Sequence, residues 1–228
     1  MAEDGKGWAY TGDNGPENWG TLSDAYETCA IGQAQSPIDL SDAEGTSELA
    51  MHYAAVPLSI ANNGHTLQVG GEQGGGYEEG GIRYDLLQGH FHTPGEHVIG
   101  GKSYPMELHL VHRSEAGGLG VIGVFIEAGA SKDALNAIID NAPAKTGDPV
   151  VIADATFNAA SLLPDEAVIH HYSGSLTTPP CSEDVAWHVF AEPITASAEQ
   201  IRSLAAIMGE NARPLQRVND RLVVEPAD

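Results

Sequence analysis

The feature that most constrains this chain is its succession of short apolar runs closed off by turn residues. "LQVG" (67–70), "IRYDLL" (82–87), "ELHLVH" (107–112), "LGVIGVFIE" (119–127), "AWHVF" (186–190) and "RLVVE" (221–225) are bounded by Gly, Pro, Asn and Asp. Runs of this length with this punctuation read as strands, so the sequence predicts a sheet-dominated (α+β) fold. Two peripheral helices are expected. "SAEQIRSLAAIMG" opens with the capping box Ser197…Gln200 and sets Ile201, Leu204, Ala205 and Met208 on one face. "SKDALNAIID" starts at Ser131 and presents Leu135, Ile138 and Ile139. "VGGEQGGGYEEGGIRY" reads as two strands joined by a mobile glycine-rich turn. A phosphate cradle there is disfavoured, because no helix and no Lys-Ser/Thr follow.

Within this strand-rich background, "QGHFHTPGEHVIGGKSYPMELHLVHR" (88–113) holds five of the ten histidines. Strand alternation puts Gln88, His90 and His92 on one face, and Glu107, His109 and Val111 on one face of the second run. If the two strands are neighbours, His90, His92 and His109 converge on a point. Three neutral imidazoles with a fourth position left for water form a catalytic zinc site, with Gln88 and Glu107 available to anchor the outer ring nitrogens. An isolated H-x-H on a strand is more often structural. The H-E-x-x-H of a helical zinc protease is absent. The constellation suggests Zn²⁺ without naming a reaction.

The remaining composition narrows the partners. Acidic residues number 32 against 10 basic, a net charge of −22, which removes the basic footprint that nucleic-acid binding requires. The acids are scattered, and two readings stay open: a solvated coat that aids solubility, or adaptation to a salty medium that screens self-repulsion. No apolar stretch reaches the roughly 20 residues of a membrane span. The start "MAEDGKGWAY" lacks a signal-peptide core, so it reads as a cytosolic start or a mature chain whose leader was removed. Cys29 and Cys181 are too far apart in sequence for a C-x-x-C pair; a long-range disulfide and two buried thiols are equally open.

"GSLTTPPC" (174–181) adds a stiff segment whose threonine hydroxyls have few ways to move. A metal-bound nucleophile needs such a neighbour, and Glu96 could accept that threonine's proton. Together with "NGPENW" (14–19), "QSPIDL" (35–40), "NNGHTLQV" (62–69), "HFHTPGEH" (90–97), "ELHLVH" (107–112), "GVIGVF" (120–125) and "NARPLQ" (211–216), the chain resembles an α-class carbonic anhydrase of the bacterial type from Trp8 almost to its end.

The resemblance implies one domain over residues 1–228, a central twisted, largely antiparallel ten-stranded sheet, and a conical active-site cavity. It implies a Zn²⁺ enzyme that hydrates CO2 reversibly to bicarbonate and a proton, with a minor esterase side activity. His90, His92 and His109 match the zinc ligands. Thr177 matches the threonine that orients the zinc-bound nucleophile, Glu96 its acceptor, and His65 the proton shuttle. Gln88 and Glu107 match the ligands' outer partners, and Tyr10, Asn62 and Thr178 the residues that order cavity water. Val111, Val121, Leu176 and Trp187 match the apolar wall where CO2 rests. Sulfonamides and small anions are implied as inhibitors, and a homodimer is compatible with the family. The cysteines match a pair bridged in bacterial and extracellular members, implying a Cys29–Cys181 disulfide and a periplasmic or secreted protein. The alternative is an inactive carbonic-anhydrase-like binding domain, although such members usually lack a ligand histidine.

Three positions depart from the family pattern: Gly89 where phenylalanine is usual, Gly95 and Arg113. Loss of the ring at 89 is expected to loosen packing behind the ligand strand. His97 and His112 match structural positions, and His52, His170, His171 and His188 are expected to serve the core or surface rather than a metal.

Overall fold

A computed structural model describes residues 7–41, 49–165 and 168–221. Its strands are β1 (Ala50–Tyr53), β2 (Val56–Asn62), β3 (Leu67–Gly70), β4 (Gly75–Glu79), β5 (Ile82–His92), β6 (Met106–Ser114), β7 (Leu119–Ala128), β8 (Val150–Phe157), β9 (Ile169–Gly174), β10 (Val185–Phe190) and β11 (Ile194–Ala196). Helices are α1 (Trp19–Leu22), α2 (Thr28–Ile31), α3 (Asp133–Asp140) and α4 (Ala198–Met208). Among the described residues, no helix is long and apolar enough to cross a membrane.

All the strands join one mixed sheet in the order β8-β2-β3-β5-β6-β7-β10-β9. β4 pairs with the first half of β5 and carries β1 on its other edge, and β11 runs beside the far end of β7. Every pairing is antiparallel except those of β10 and β11 with β7. The described residues thus form eleven strands where ten were expected, counting the three-residue β11. "IRYDLL" and "QGHFH" are one strand, β5, with an irregularity in its pairing to β6 between Leu86 and Gln88. The glycine-rich stretch is not one hairpin. β3 and β4 do not pair with each other; both pair with β5, and the tight turn is Gly80–Gly81, each with φ in the left-handed region (+57° and +79°) that glycine tolerates. "RLVVE" lies, apart from Arg221, outside the described residues.

The central strands β6 and β7 are buried on both faces, and each face has its own core. On one side Phe91, Leu108, Leu110, Ile122 and Val124 pack with Leu135 of α3 and Leu204 of α4. On the other Ile38, Leu40, Phe125 and Val189 pack around Trp187. Burial of each such side chain stabilises by roughly 1.5–3 kcal/mol.

The capping box of α4 forms as expected: Gln200 N donates to Ser197 Oγ at 3.1 Å and Ser197 N to Gln200 Oε1 at 3.0 Å. α3 starts at Asp133 rather than Ser131, and Lys132, its N-cap, makes no side-chain cap. Gln200 takes that role from α4, accepting from Lys132 N at 3.0 Å and donating to Lys132 O at 2.8 Å. A tertiary contact, not a local hydroxyl, fixes this helix start.

Gly89 leaves no gap behind the ligand strand. A Cβ placed there would sit 3.0 Å from Leu110 Cδ2 and 3.2 Å from Val69 Cγ2, so its two strand neighbours already fill the space expected to be loose.

Candidate metal centre

Register across the sheet assembles the site. One rung aligns Gln88, Val111, Val121 and Trp187 across β5, β6, β7 and β10; the next, two residues on, aligns His90, His109, Gly123 and Val189. Two residues further, His92 faces Glu107. Since i and i+2 share a face, three imidazoles and an apolar row occupy one side of the sheet. Gly123 makes room: a Cβ there would lie 3.1 Å from Glu107 Oε1.

Each imidazole has one nitrogen occupied. His90 Nδ1 donates to Gln88 Oε1 at 2.9 Å, and His109 Nε2 to Glu107 Oε1 at 2.9 Å. His92 Nδ1 donates to the backbone oxygen of Asn211 at 2.8 Å, leaving its buried Nε2 with no hydrogen-bond partner among the described residues. The three histidines offer ligand atoms that all lie within 4.8 Å of one another. Burial pushes His92 down to about 4 and His90 well below the ordinary histidine value, with the charge of neighbouring imidazoles adding to the effect on His90. Burial also lowers His109. All three are therefore neutral near pH 7, as metal ligation requires. Fixed outer nitrogens, neutral rings and an orphaned inner nitrogen fit a zinc ion with three histidine ligands.

Glu107 anchors the centre. Its Oε1 also accepts from His97 Nδ1 at 2.7 Å, and its Oε2 accepts from the backbone N–H groups of Glu96 and His97, each at 2.8 Å. Burial alone would raise this carboxyl, but His97 and His109 hold it well below the usual range. His97 is held in turn by the Tyr172 hydroxyl at 2.6 Å from Nε2, a scaffold role as expected. These bonds consume the His97–Glu107–His109 group, which leaves only His109 Nδ1 facing the other two ligands.

Glu96 is buried, 3.8 Å from His109 Nδ1, and accepts from Arg213 N at 2.8 Å. Burial raises its carboxyl to about 7 against the pull of His109, Arg213 N and the Thr177 hydroxyl. Thr177 is thus against Glu96, although Glu96 Oε2 completes no well-aligned hydrogen bond. Thr177 is buried, and Pro179–Pro180 beyond it is a cis peptide. Thr178 is half-buried, and its carbonyl accepts from Cys181 N at 2.9 Å. Cys181 is bonded to Cys29 of α2, joining the threonine segment to the N-terminal region. Val111, Val121 and Trp187 are buried in one cluster, with Leu176 packed against it.

His65 sits in the turn between β2 and β3. Asn62 Oδ1 accepts from Gly64 N, Asn63 Oδ1 accepts from the backbone N–H groups of His65 and Thr66, and Gly64 takes φ +89°. Its ring stacks on Trp8 at 3.7 Å, and burial lowers its pKa. Tyr10 packs edge-on against Trp8 and Trp19, with burial and then Glu96 pushing its hydroxyl pKa up. Asn62 therefore shapes the loop that carries His65.

Asn211 went unnoticed in the sequence as a site residue. Besides its carbonyl on His92, its Oδ1 accepts from Thr93 N at 2.7 Å and its Nδ2 donates to the carbonyls of His65 and Phe91 at 3.0 and 2.9 Å. One side chain thus ties the His65 loop to the ligand strand. "NARPLQ" was visible as a motif, but a backbone acceptor carries no side-chain signature.

Comparisons with known proteins agree on one family. The family model for eukaryotic-type carbonic anhydrase matches residues 14–227. A carbonic anhydrase of Nostoc sp. is 45% identical over 225 residues, covering 96% of this chain and 85% of that protein. The α-carbonic anhydrase of Thermovibrio ammonificans, solved with the inhibitor sulfanilamide, superposes with a TM-score of 0.89 at 40% identity, covering 95% of this chain and 98% of that one. Dioscorin DB3L of Dioscorea polystachya is 33% identical over 222 residues, covering 92% of this chain and 82% of that protein.

Proposed function

The chain belongs to the eukaryotic-type, or α, carbonic anhydrase family, and from that premise we propose that residues 1–228 form a single zinc-dependent domain that hydrates CO2 reversibly to bicarbonate and a proton. The observation that carries this reading is the convergence of three buried, neutral imidazoles whose outer nitrogens are already bonded. His90, His92 and His109 would hold the ion. Zinc, when bound, acts as a Lewis acid that makes a coordinated water a nucleophile near neutral pH.

The other residues have separable tasks. Thr177, backed by Glu96, orients the nucleophile's lone pair through a hydrogen bond. Val111, Val121, Leu176 and Trp187 receive CO2, whose carbon needs proximity and no strong coordination. His65 carries the released proton outward, since an imidazole titrates near working pH. Tyr10, Asn62 and Thr178 order the water between His65 and the centre. The same nucleophile would hydrolyse activated esters slowly. The sulfanilamide complex of the Thermovibrio relative supports sulfonamide inhibition here, and small anions would compete at the same centre. The Cys29–Cys181 bridge supports a periplasmic or secreted location, because such bonds persist in oxidising compartments.

Dioscorin relatives, one of them solved in complex with ascorbate, support a second reading, a ligand-binding domain; the complete ligand set, Thr177 and Glu96 favour the enzyme. The two are separated by assaying CO2 hydration in metal-free protein, then after one equivalent of zinc, beside His109→Ala. Activity should return with the zinc in the wild-type chain and stay absent in the variant. A zinc-loaded wild-type chain without activity would overturn the enzyme reading.

A further inference from the structure

The opposite face of the sheet carries a second cluster of ligand-type side chains. Its members are Glu79 at the end of β4, His171 on β9 and His188 on β10. His171 and His188 are direct partners in the β9–β10 register, with ring centroids 4.3 Å apart and planes at 86°. Glu79 spans them: its Oε1 lies 3.6 Å from His171 Nδ1 and its Oε2 lies 3.4 Å from His188 Nε2. One ligand atom from each of the three residues falls within 4.8 Å of the others. His188 neighbours Trp187 in β10, but alternation turns it away from the three-imidazole centre, beside Ile122.

His188 is poorly accounted for as a scaffold residue. It is 1% exposed, and neither ring nitrogen makes a hydrogen bond with a described residue. Its ring meets the edge of Tyr77, two residues before Glu79 on the same face of β4, at 5.1 Å. Leaving a buried donor or acceptor unmatched costs roughly 1–3 kcal/mol. Contacts of 3.4 and 3.6 Å are too long for the charge-assisted hydrogen bonds that would repay this, which run at roughly 2.7–2.9 Å. Each, on its own carboxylate oxygen, is close to the spacing of neighbouring donors around a tetrahedral ion. With metal–nitrogen and metal–oxygen bonds near 2.0–2.2 Å, adjacent ligand atoms sit roughly 3.3–3.5 Å apart.

The surroundings suit a cation that enters from solvent. Glu79 and His171 are only half-buried and line a surface cavity of about 300 Å³ with Asp184 and Ser173. Burial keeps His171 and His188 below the ordinary histidine value, so both rings offer lone pairs near pH 7. The chain's net charge of −22 raises the local cation concentration.

We propose that Glu79, His171 and His188 form a second, exchangeable site for a divalent transition ion of the zinc class, two imidazoles and a carboxylate with a fourth position open to solvent. Such an ion ties β4 to the paired strands β9 and β10, with which β4 does not itself pair. This site is independent of the CO2 chemistry, and its test is read on metal content.

Metal-free full-length protein is titrated with Zn²⁺ against a competing chelator, and bound zinc is counted after dialysis at fixed free zinc. The wild-type chain should take two equivalents, and His109→Ala should keep one. His171→Asn and Glu79→Gln, at half-buried positions chosen to spare the fold, should each bind one equivalent and retain CO2 hydration. Zinc beyond the first equivalent should raise the Tm of the wild-type chain and leave that of Glu79→Gln unchanged. A wild-type chain that saturates at one equivalent would overturn the proposal. Two equivalents retained in both Glu79→Gln and His171→Asn would overturn it as well, since the second ion would then sit elsewhere.

Discussion

Glu107→Gln tests whether the ligands are held from behind. The carboxylate accepts four hydrogen bonds, two on each oxygen: from His97 Nδ1 and His109 Nε2 on Oε1, and from the backbone of Glu96 and His97 on Oε2. An amide keeps one oxygen, so its NH2 must face two donors whichever way it turns. The backbone donors cannot change, which favours oxygen on their side and sets NH2 against the two imidazoles. Two unmatched buried donors cost about 2–6 kcal/mol. His109 could relieve its share by moving the proton from Nε2 to Nδ1, but Nδ1 is the nitrogen left for the metal. The substitution therefore trades stability against ligand basicity, and zinc affinity should fall roughly 10–100-fold. At about 2–4 °C of Tm per kcal/mol for a chain of this size, the metal-free variant should melt at least ~4 °C below wild type. Chelator competition and thermal melting of the metal-free and zinc-loaded forms read both quantities. Wild-type zinc affinity together with wild-type melting would refute the reasoning, because an amide satisfies all four groups only if His109 gives up its free Nδ1.

Thr177→Ala and His65→Ala should separate orientation from proton export. The first should stay folded and zinc-loaded while kcat/KM falls roughly 10–1000-fold. The second should lose kcat with kcat/KM near wild type, and imidazole buffer should restore part of it; equal loss in both parameters would assign His65 to structure. Reduction of Cys29–Cys181, which spans a sequence separation of 152 residues, should release loop entropy worth up to ~5 kcal/mol, a Tm loss of up to ~20 °C. Two free thiols in unreduced protein, with identical melting under reductant, would contradict both the bridge and the case for export.

The strands and the metal centre were legible because period-two alternation depends only on local sequence: His90, His92 and His109 could be set on faces before any pairing was known. The α4 capping box was equally local. The start of α3 was not, since Gln200 caps it from 68 positions away. The partner of His92 was hidden for a related reason, being a backbone oxygen 119 residues on. Gly89 suggested a hole only because the sequence does not show that Leu110 and Val69 lean into it. The Glu79–His171–His188 cluster depends on β4 lying against the far end of the sheet, which no spacing between those residues encodes.

The central claim is that His90, His92 and His109 together bind one ion. X-ray absorption at the zinc edge, on metal-free protein given one equivalent, addresses it most directly. The account predicts a four-coordinate ion with three imidazole nitrogens at about 2.0–2.1 Å and one further light atom, and the loss of that signature in His109→Ala. A tight-binding ion with two imidazoles or fewer, or an unchanged spectrum in the variant, would contradict it.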